Sequence, residues 1–351
     1  MLTKIKNFTA LLLLSTAGFA PISWAASNQQ EFRTEAPLPQ VATPTDPGTA
    51  PDRYIQLDVS NYSAWELDEL ANQAYRDGDY DQAVQYQYWA IQNGDDSYYD
   101  LACDYALAGN VEAAIHWLYI DVQKGTVDVN WTDTDPDLAN VRNHDDWPAL
   151  REYLVAMEQY WAESGNRAYK AIVPESYQAQ TLIPLIVALH GKGDSPLEFI
   201  HDGYQRLADD LNIAIVSISG PIPYGQNAYK WSTDPHENDA YLQDFLPEIL
   251  RREDIAASKM ALLGFSQGAQ VSLQTIAFHP DQWQGALAMS PGLYPVQDVI
   301  FSGTTVPDLS QVNIIVTNGA EENEYYLNLA GQNINILKFG DANIQHLVYP
   351  N

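Results

Sequence analysis

The stretch 259–277, KMALLGFSQGAQVSLQTIA, constrains the fold more than any other part of the chain. Residues 260–263 form a short apolar run that is typical of a buried strand. The pentapeptide GFSQG follows at 264–268 with no spacer. After it, apolar side chains recur on one face of a helix, at Ala269, Leu273, Ile276 and Ala277. The sequence therefore predicts that a strand, a tight turn and a helix meet at Ser266.

The residue types around Ser266 suit a nucleophile. Glycines at 264 and 268 leave room for a sharp reversal of the chain, so that the serine hydroxyl can stand clear of the backbone. The following helix would direct its N-terminal N–H groups towards the negative charge that forms during acyl transfer. The alternative interpretation is a glycine-rich turn with an exposed serine, and the flanking strand and helix weaken it.

From residue 166 the sequence alternates between apolar strands and helices. A run such as LIPLIVAL at 182–189 suits a strand that is buried on both faces. The predicted strands are 169–173, 182–189, 213–218, 260–263, 285–289, 312–316 and 334–337, and the predicted helices are 196–211, 239–250, 268–278 and 322–329. We therefore predict an α/β domain at 166–351, a mostly parallel sheet with helices on both faces, whose site lies beyond the carboxyl ends of the strands.

A serine nucleophile needs a base, and the base needs a carboxylate to orient it. In folds of this class the chain order is serine, acid, histidine. Of the seven histidines, only His279 and His346 follow Ser266. His279 lies at the far end of the predicted helix, roughly 20 Å away at 1.5 Å per residue. His346 is predicted in a loop after the last strand and is the candidate base.

The orienting carboxylate is expected just after the strand 312–316. Glu321 and Glu322 both follow that strand, and Glu324 and Asp341 are further candidates along the chain. The residues alone leave the choice between Glu321 and Glu322 open.

The negative charge of an acyl-transfer intermediate needs two N–H donors. One is predicted to be the amide of Gln267, directly after the nucleophile, and the other the amide of Lys192 in the loop HGKGD at 190–194. His190 is interpreted as a brace for that loop rather than as a second base. The segment 221–231 also follows a strand end, and its Tyr229 and Trp231 are candidates to bind substrate or simply to pack.

Three motifs carry a family resemblance: ALHGKGDS at 188–195, GFSQG at 264–268 and AMSPGLYP at 288–295. In this order they resemble the phospholipase/carboxylesterase family of α/β hydrolases, which is similar to acyl-protein thioesterases and small bacterial esterases. The resemblance covers about 169–346.

What the resemblance implies is a triad and an oxyanion site. It implies Ser266 as nucleophile, His346 as base, and the amides of Lys192 and Gln267 as oxyanion donors. The family's acid lies three residues after a strand-end glycine, which here selects Glu322 where the family usually has aspartate.

The N-terminal 60 residues carry no catalytic signal. A basic start, the run ALLLL and small residues near Ala25 predict a secretory signal peptide at 1–25, and therefore a periplasmic or secreted protein. The proline- and threonine-rich segment 26–60 is interpreted as a linker. No stretch is apolar and long enough to predict a membrane span. The net charge of −29 argues against binding to nucleic acid.

Residues 61–162 differ in character, being helical, acidic and rich in tyrosine and tryptophan. Two helical pairs overlay at an offset of 31, with Leu70 on Leu101 and Ala83 on Ala114, which resembles the tetratricopeptide repeat (TPR) family. A repeat of this type implies a surface for a protein partner. The segment has a net charge of −16, for which a solvated face is favoured over a basic partner. Its single cysteine, Cys103, is interpreted as a small core residue.

These features predict a serine hydrolase that cleaves small-molecule carboxylic esters through an acyl-enzyme. No metal or organic cofactor is expected, since no clustered ligands are visible in the sequence. A thioesterase or serine peptidase using the same triad is one alternative. Another is a degenerate hydrolase-like protein that binds a partner through its TPR-like repeats.

Overall fold

The computed structural model describes residues 27–31, 38–39, 41, 43–48, 61–124, 126–201, 203–292, 296–300 and 306–350. The predicted signal peptide lies outside these residues, as does most of the predicted linker. The described chain divides into two compact units, with the main division between Ser164 and Gly165. Within the described residues, no helix combines the length and the apolar character needed to cross a membrane.

The first unit, 34–164 together with 224–228, is helical. Its helices are α1 (Ala64–Arg76), α2 (Tyr80–Gln92), α3 (Tyr98–Leu107), α4 (Val111–Lys124), α5 (Val129–Thr134) and α6 (Trp147–Ser164), with 3₁₀ turns at Pro136–Leu138 and Val141–Asn143. A capping box between Ser63 and Glu66 begins α1, since each side chain accepts a hydrogen bond from the other residue's backbone N–H. The helices α1 and α2 pack as one pair and α3 and α4 as a second.

The turns of these two pairs fall at the predicted glycines. Gly78 and Gly109 have φ values of +75° and +85°, which favour glycine because a Cβ atom would be strained there. Leu101, Ala102 and Ala114, which the repeat pattern singled out, are fully buried between the helices. The predicted helical pairs are therefore present, while their assignment to the TPR family stays a prediction.

The second unit contains an eight-stranded sheet in the order β1-β2-β4-β3-β7-β8-β9-β10. The strands are β1 (Ser27–Glu31), β2 (Arg167–Ile172), β3 (Leu182–Leu189), β4 (Ala214–Ile218), β7 (Ala256–Phe265), β8 (Trp283–Met289), β9 (Asn313–Gly319) and β10 (Asn343–Tyr349). The pairs β1–β2 and β2–β4 are antiparallel and all the others are parallel. A separate two-stranded ribbon joins β5 (Ile222–Gly225) to β6 (Ala228–Lys230).

Helices cover both faces of this sheet. They are α7 (Pro196–Phe199), α8 (Gly203–Leu211), α9 (Pro235–Arg252), α10 (Gln267–Phe278), α11 (Gln297–Ile300) and α12 (Glu324–Leu337). Successive residues of β3 enter two different cores: Val187 packs in the cluster that contains α9 and α10, whereas Ile186 packs in the cluster that contains α8. Side chains of a strand point alternately to its two faces, so those of β3 pack into two apolar layers, one on each face of the sheet. The predicted fold class is confirmed.

Four predictions differ from the structure. Residues 334–337 were predicted as the last strand but end helix α12, because Leu329, Ala330, Ile334 and Leu337 are buried with helical spacing. The last strand is β10, so His346 lies inside a strand and not in a loop after one. In addition, the predicted linker contains β1, and the predicted helix 196–211 is two helices, α7 and α8.

Candidate active site

Ser266 occupies a strained turn between β7 and α10. Its backbone has φ 50° and ψ −115°, a conformation that is rare for a residue with a side chain. Glycines make the turn sterically feasible: a Cβ atom on Gly264 would lie 2.3 Å from the Gly268 carbonyl oxygen. One on Gly268 would lie 2.1 Å from the Leu189 carbonyl oxygen. The strand–turn–helix geometry predicted around Ser266 is therefore present, with backbone packed closely on both sides.

Backbone hydrogen bonds fix this turn to the end of the neighbouring strand β8. The Ser266 N–H donates to the Met289 carbonyl at 2.9 Å, and the Gly292 N–H donates to the Ser266 carbonyl at 3.2 Å. The Ser266 side chain is half-buried, and its Oγ lies 3.6 Å from the position that a Cβ of Gly292 would take. Among the described residues, none exchanges a hydrogen bond with Ser266 Oγ. Backbone hydrogen bonds thus fix the position of the serine, while its hydroxyl makes no hydrogen bond to a described residue.

The predicted oxyanion loop lies beside this serine. A Cβ on Gly191 would stand 3.6 Å from Ser266 Cβ, which brings residues 190–194 against the turn. Gln267 is the first residue of α10, where a backbone N–H has no partner within the helix. The Gln267 side chain is already engaged, since its Oε1 accepts from the Trp231 N–H at 3.0 Å. Lys192, adjacent to Gly191, has an exposed side chain.

Buried aromatic residues hold that loop in place. The His190 ring donates from Nδ1 to the Gly191 carbonyl at 2.6 Å and accepts at Nε2 from the Gly220 N–H at 3.0 Å. Burial lowers the pKa of His190 to about 4, so the ring is neutral and serves as a brace. Trp231 donates from Nε1 to the His190 carbonyl, and Tyr229 exchanges backbone bonds with Gly193 and Asp194.

This arrangement corrects one expectation from the sequence. Tyr229 and Trp231 are each only 1% exposed, so they pack inside the protein instead of lining an open substrate surface.

Glu322 accepts two side-chain hydrogen bonds at the carboxyl edge of the sheet. The hydroxyl of Ser290, which follows β8, donates to Oε1, and Asn318 in β9 donates from Nδ2 to Oε2 at 2.6 Å. Ser290 has φ 50°, as Ser266 has. Glu321 is exposed, with no side-chain bond among the described residues. The structure therefore distinguishes the two glutamates that the sequence left open: only Glu322 is fixed by neighbours.

His346 does not contact Ser266. In the strand register, His346 pairs with Val316, Val316 with Ala288, and Ala288 with Gly264. Three inter-strand spacings of about 4.8 Å put His346 about 14 Å to the side of β7. Its ring is exposed and donates from Nε2 to Asn318 Oδ1 at 2.9 Å. His346 is thus connected to Glu322 only through Asn318.

The remaining histidines have other partners. His279 pairs with Asp239 at the far end of α10, as its sequence position suggested, and the His236 ring contacts the Phe278 ring at a tilt of 51° at the same end. His201 accepts the Gly203 N–H. In the helical unit, His116 contacts the Pro44 carbonyl and His144 lies near Glu112. All seven histidines are described, and none is in hydrogen-bonding contact with Ser266 Oγ.

Sequence reasoning missed several residues of this edge. Ser290 lies in the AMSPG motif, which was noted only as part of a resemblance, and Asn318 follows no motif at all. Two exposed aromatic residues also flank the serine. Phe265, 44% exposed, lies on the Gly191 side, and Tyr326, 41% exposed, lies on the Gly292 side. For these two aromatic residues, the signal that could have found them is an exposed aromatic side chain beside the predicted turn.

The family model "Esterase", described as "Putative esterase", matches residues 162–338, half of the chain. One curated relative is the "Putative esterase NocK" of Nocardia uniformis subsp. tsuyamanensis, which is 28% identical over 122 residues. That match covers 32% of this chain and 33% of the relative, so the chain spans about a third of the length of the curated protein it matches.

Solved structures show more distant similarity. A ferulic acid esterase is 17% identical, with a TM-score of 0.44, over 54% of this chain and 86% of that chain. A phospholipase/carboxylesterase from Dyadobacter fermentans is 21% identical, with a TM-score of 0.39, over 52% of this chain and 87% of that chain.

Proposed function

The chain belongs to the esterase family of hydrolases, and on that premise we propose that it cleaves carboxylic esters through an acyl-enzyme formed on Ser266. The observation that carries this proposal is the strained backbone of Ser266, held between two glycines that admit no side chain. Strain of this kind is retained where the surrounding structure enforces it, and it is concentrated at functional sites. Ester hydrolysis is the family's chemistry, while the residue roles that follow are proposals.

The reaction begins with attack of Ser266 Oγ on the ester carbonyl carbon, while the proton of its hydroxyl passes to a water molecule whose developing positive charge the Glu322 carboxylate would stabilise. The carbonyl oxygen becomes an oxyanion, which the N–H groups of Gln267 and Lys192 stabilise. Removing one donor of this kind costs about 2.7–4 kcal/mol in the enzymes where it has been tested. The intermediate collapses, the C–O bond to the leaving group breaks, the departing alkoxide takes that proton back from water and leaves as the alcohol, and the acyl group stays on Ser266. Attack by water then releases the acid and restores the serine hydroxyl.

Glu322 is the proposed acid. It follows β9, two strands from the serine, and two inter-strand spacings amount to about 10 Å between backbones. An imidazole hydrogen-bonded to both a serine and a carboxylate fits such a span. The bonds from Ser290 and Asn318 would keep the Glu322 carboxylate oriented. In the described arrangement no histidine bridges this span, so we propose that water in it takes up the Ser266 proton, and we leave His346 out of the proposed machinery.

Two exposed aromatic rings support an apolar acyl or aryl substrate. Phe265 and Tyr326 lie on opposite sides of Ser266, against Gly191 and Gly292 respectively. Rings in this position give an ester substrate flat apolar surface on both sides of the nucleophile. A thioester or a peptide could be attacked by the same serine, and the comparison of leaving groups belongs in the same experiment.

A second candidate function rests on one observation, the distance between His346 and Ser266. A hydrolase domain without a base at its serine would act as a binding protein, with the TPR-like helical unit contacting a partner. In either case we propose that the protein acts in the periplasm or outside the cell, because residues 1–25 have the pattern of a signal peptide.

The test is hydrolysis of p-nitrophenyl esters of increasing acyl length by the full chain, with a matched thioester and an anilide. Ser266→Ala should lower kcat/KM by roughly 1000-fold or more. Ser258→Ala, at an exposed position on β7, is the matched control and should retain activity. If folded wild-type protein turns over none of the activated esters, the esterase proposal is wrong and the binding-protein function is favoured.

A further inference from the structure

The helical unit contains a cavity of about 310 Å³ that the proposed esterase chemistry does not use. Four carboxylates line it: Asp100 and Asp104 from α3, and Asp135 and Asp137 at the 3₁₀ turn before Val141. No lysine, arginine or histidine is among the described residues that line it. The cavity therefore concentrates negative charge without an internal counter-charge.

Asp104 is the residue that most needs a ligand. It is only 4% exposed, yet its carboxylate has no hydrogen-bond or ion-pair partner among the described residues. Burial, together with the charges of Asp100, Asp137 and Asp68, raises the pKa of Asp104 to about 8. Buried carboxylates are normally paired because desolvation of an isolated charge is costly. Without a ligand this carboxyl keeps a proton up to about pH 8. Pairing with a cation from outside the chain would replace that proton and satisfy the buried carboxylate.

The basic residues that the structure describes between 61 and 164 are engaged elsewhere. Arg151 forms a two-pronged bond with Asp133, and Arg76 bonds the Gln73 side chain. Lys124 lies over the Tyr98 ring. Arg142 approaches the cavity wall, but its guanidinium donates to the backbone carbonyls of Thr132 and Asp135 and not to a carboxylate.

Aromatic side chains complete the lining and favour an organic cation. Tyr75 donates to Asp137 Oδ2 at 2.7 Å and Tyr99 donates to Asp135 Oδ2 at 2.9 Å, so both hydroxyls orient the carboxylates. Trp131 lines the cavity as well and is 53% exposed, although it is a large apolar residue. Carboxylates beside aromatic faces form the environment in which ammonium and guanidinium groups bind, through charge pairing and cation–π contact.

We propose that this cavity binds an organic cation: an alkylammonium or guanidinium group on a short flexible chain, as in a free diamine or a lysine or arginine side chain of a peptide. The cationic group pairs with Asp104 and Asp137, and the chain lies against Trp131. A solvated acidic face was favoured from the sequence, whereas the structure gathers part of that charge around one cavity. The proposal is independent of the esterase reaction.

A metal ion is the competing occupant. Ligand atoms of Cys103, Asp135 and Asp137 lie within 4.8 Å of one another, a grouping that the sequence did not reveal. However, the Asp135 carboxylate already accepts bonds from Tyr99, from the Asp137 N–H and from the Cys103 thiol. A cavity of about 310 Å³ is also far larger than one ion occupies. We therefore assign the site to an organic cation and treat metal binding as an outcome of the test.

The experiment is isothermal titration calorimetry on the full chain with 1,5-diaminopentane and with the peptide acetyl-Gly-Lys-Gly-amide. The same peptide with its lysine acetylated serves as the neutral control, and CaCl₂ and ZnCl₂ are titrated separately. We expect one site that binds an ammonium probe, and Asp104→Asn and Asp137→Asn should each weaken it by about tenfold or more. Asp145→Asn makes the same charge change at an exposed position outside the cavity and should leave the affinity within about twofold.

Comparing the two ammonium probes distinguishes the possible sources of the cation. Tighter binding of the peptide indicates a protein partner, and tighter binding of the diamine indicates a small metabolite; both support the site. Failure of both ammonium probes to bind overturns the proposal, as does an equal loss in Asp145→Asn or binding of metal alone. If an aspartate variant does not fold, Trp131→Ala takes its place, because this exposed ring can be removed without opening the core.

Discussion

His346 and Ser266 lie three strands apart at the carboxyl edge of the sheet. The register that aligns Gly264 with Ala288, Val316 and then His346 sets this separation, and the bond from His346 to Asn318 holds the ring on the β9 side. Three inter-strand spacings separate the two strands by about 14 Å, far more than the about 2.6–3.2 Å over which a base takes a proton directly. The relationship constrains any mechanism for this chain.

The first prediction concerns His346 itself. We expect His346→Gln to change kcat/KM for an activated ester by less than about threefold, because the ring is too far from Ser266 Oγ to take its proton. Ester hydrolysis across a pH series would measure this, with Ser266→Ala as the inactive reference. A loss of 100-fold or more would mean that β10 leaves β9 during the reaction and delivers the ring to the serine.

The two adjacent glutamates should differ in their effect on turnover. Glu322→Gln should lower kcat/KM by about 100-fold or more, since it removes the negative charge that would stabilise the proton leaving Ser266, while Glu321→Gln should have little effect. Glu321 is exposed and makes no side-chain bond among the described residues, which makes it the matched control. Equal losses in the two variants, or a larger loss for Glu321→Gln, would show that the acid has been misassigned.

Replacing Gly268, the second residue of α10, should destabilise the protein for steric reasons. Gly268→Ala places a methyl group 2.1 Å from the Leu189 carbonyl oxygen, and overpacking of this kind costs about 1–3 kcal/mol. In contrast, Gly331 in the interior of α12 has open space around it, so Gly331→Ala should stabilise by about 0.5–1 kcal/mol. Urea denaturation followed by tryptophan fluorescence compares the two. A stable Gly268→Ala would contradict the close packing at the turn.

Stability should depend on pH through Asp104. In the unfolded chain this carboxyl titrates near 4, whereas in the folded protein its pKa is about 8, through burial and the nearby Asp100, Asp137 and Asp68. Between these values the folded state holds a proton that the unfolded state has lost, so the free energy of unfolding falls as the pH rises from about 4 to about 8.

Replacing Asp104 should remove this dependence. Without added amine, the melting temperature of Asp104→Asn at pH 8 should exceed that of wild type by about 3 °C or more, and the difference should vanish near pH 4. Asp145→Asn, which is exposed, should show no such trend. Identical pH profiles for wild type and Asp104→Asn would argue that Asp104 is ionised and stabilised in the folded protein.

The parts of the fold that can be predicted from the sequence are those whose apolar residues fit only one type of secondary structure. Strand β3 and the C-terminal parts of β7 and β8 are continuous apolar runs in a parallel sheet, so the sequence predicted their positions. The turn at Ser266 was readable because only glycine fits beside it. Strand β10 was not readable, because an edge strand has few buried residues and its polar side chains carry no strand period.

The candidate site was predictable only where one element carries it. Ser266 and Gln267 belong to one local motif, GFSQG. The loop at Gly191 is a second local motif, HGKGD. The contacts of Glu322 with Ser290 and Asn318 join residues at the ends of two neighbouring strands, β8 and β9, and only the strand order and register decide them. The misplacement of His346 has the same origin: its distance from Ser266 depends on where the last strand begins, and the run 334–337 was misinterpreted as that strand.

Labelling with a fluorophosphonate probe, followed by peptide mass spectrometry, tests the central claim most directly. The probe phosphonylates a serine only when its hydroxyl is nucleophilic and an oxyanion site is assembled beside it. The account predicts an adduct on Ser266 in wild type and in Ser258→Ala, and no adduct in Ser266→Ala. Absence of an adduct on Ser266 in folded wild-type protein, or an adduct on another serine, would contradict it.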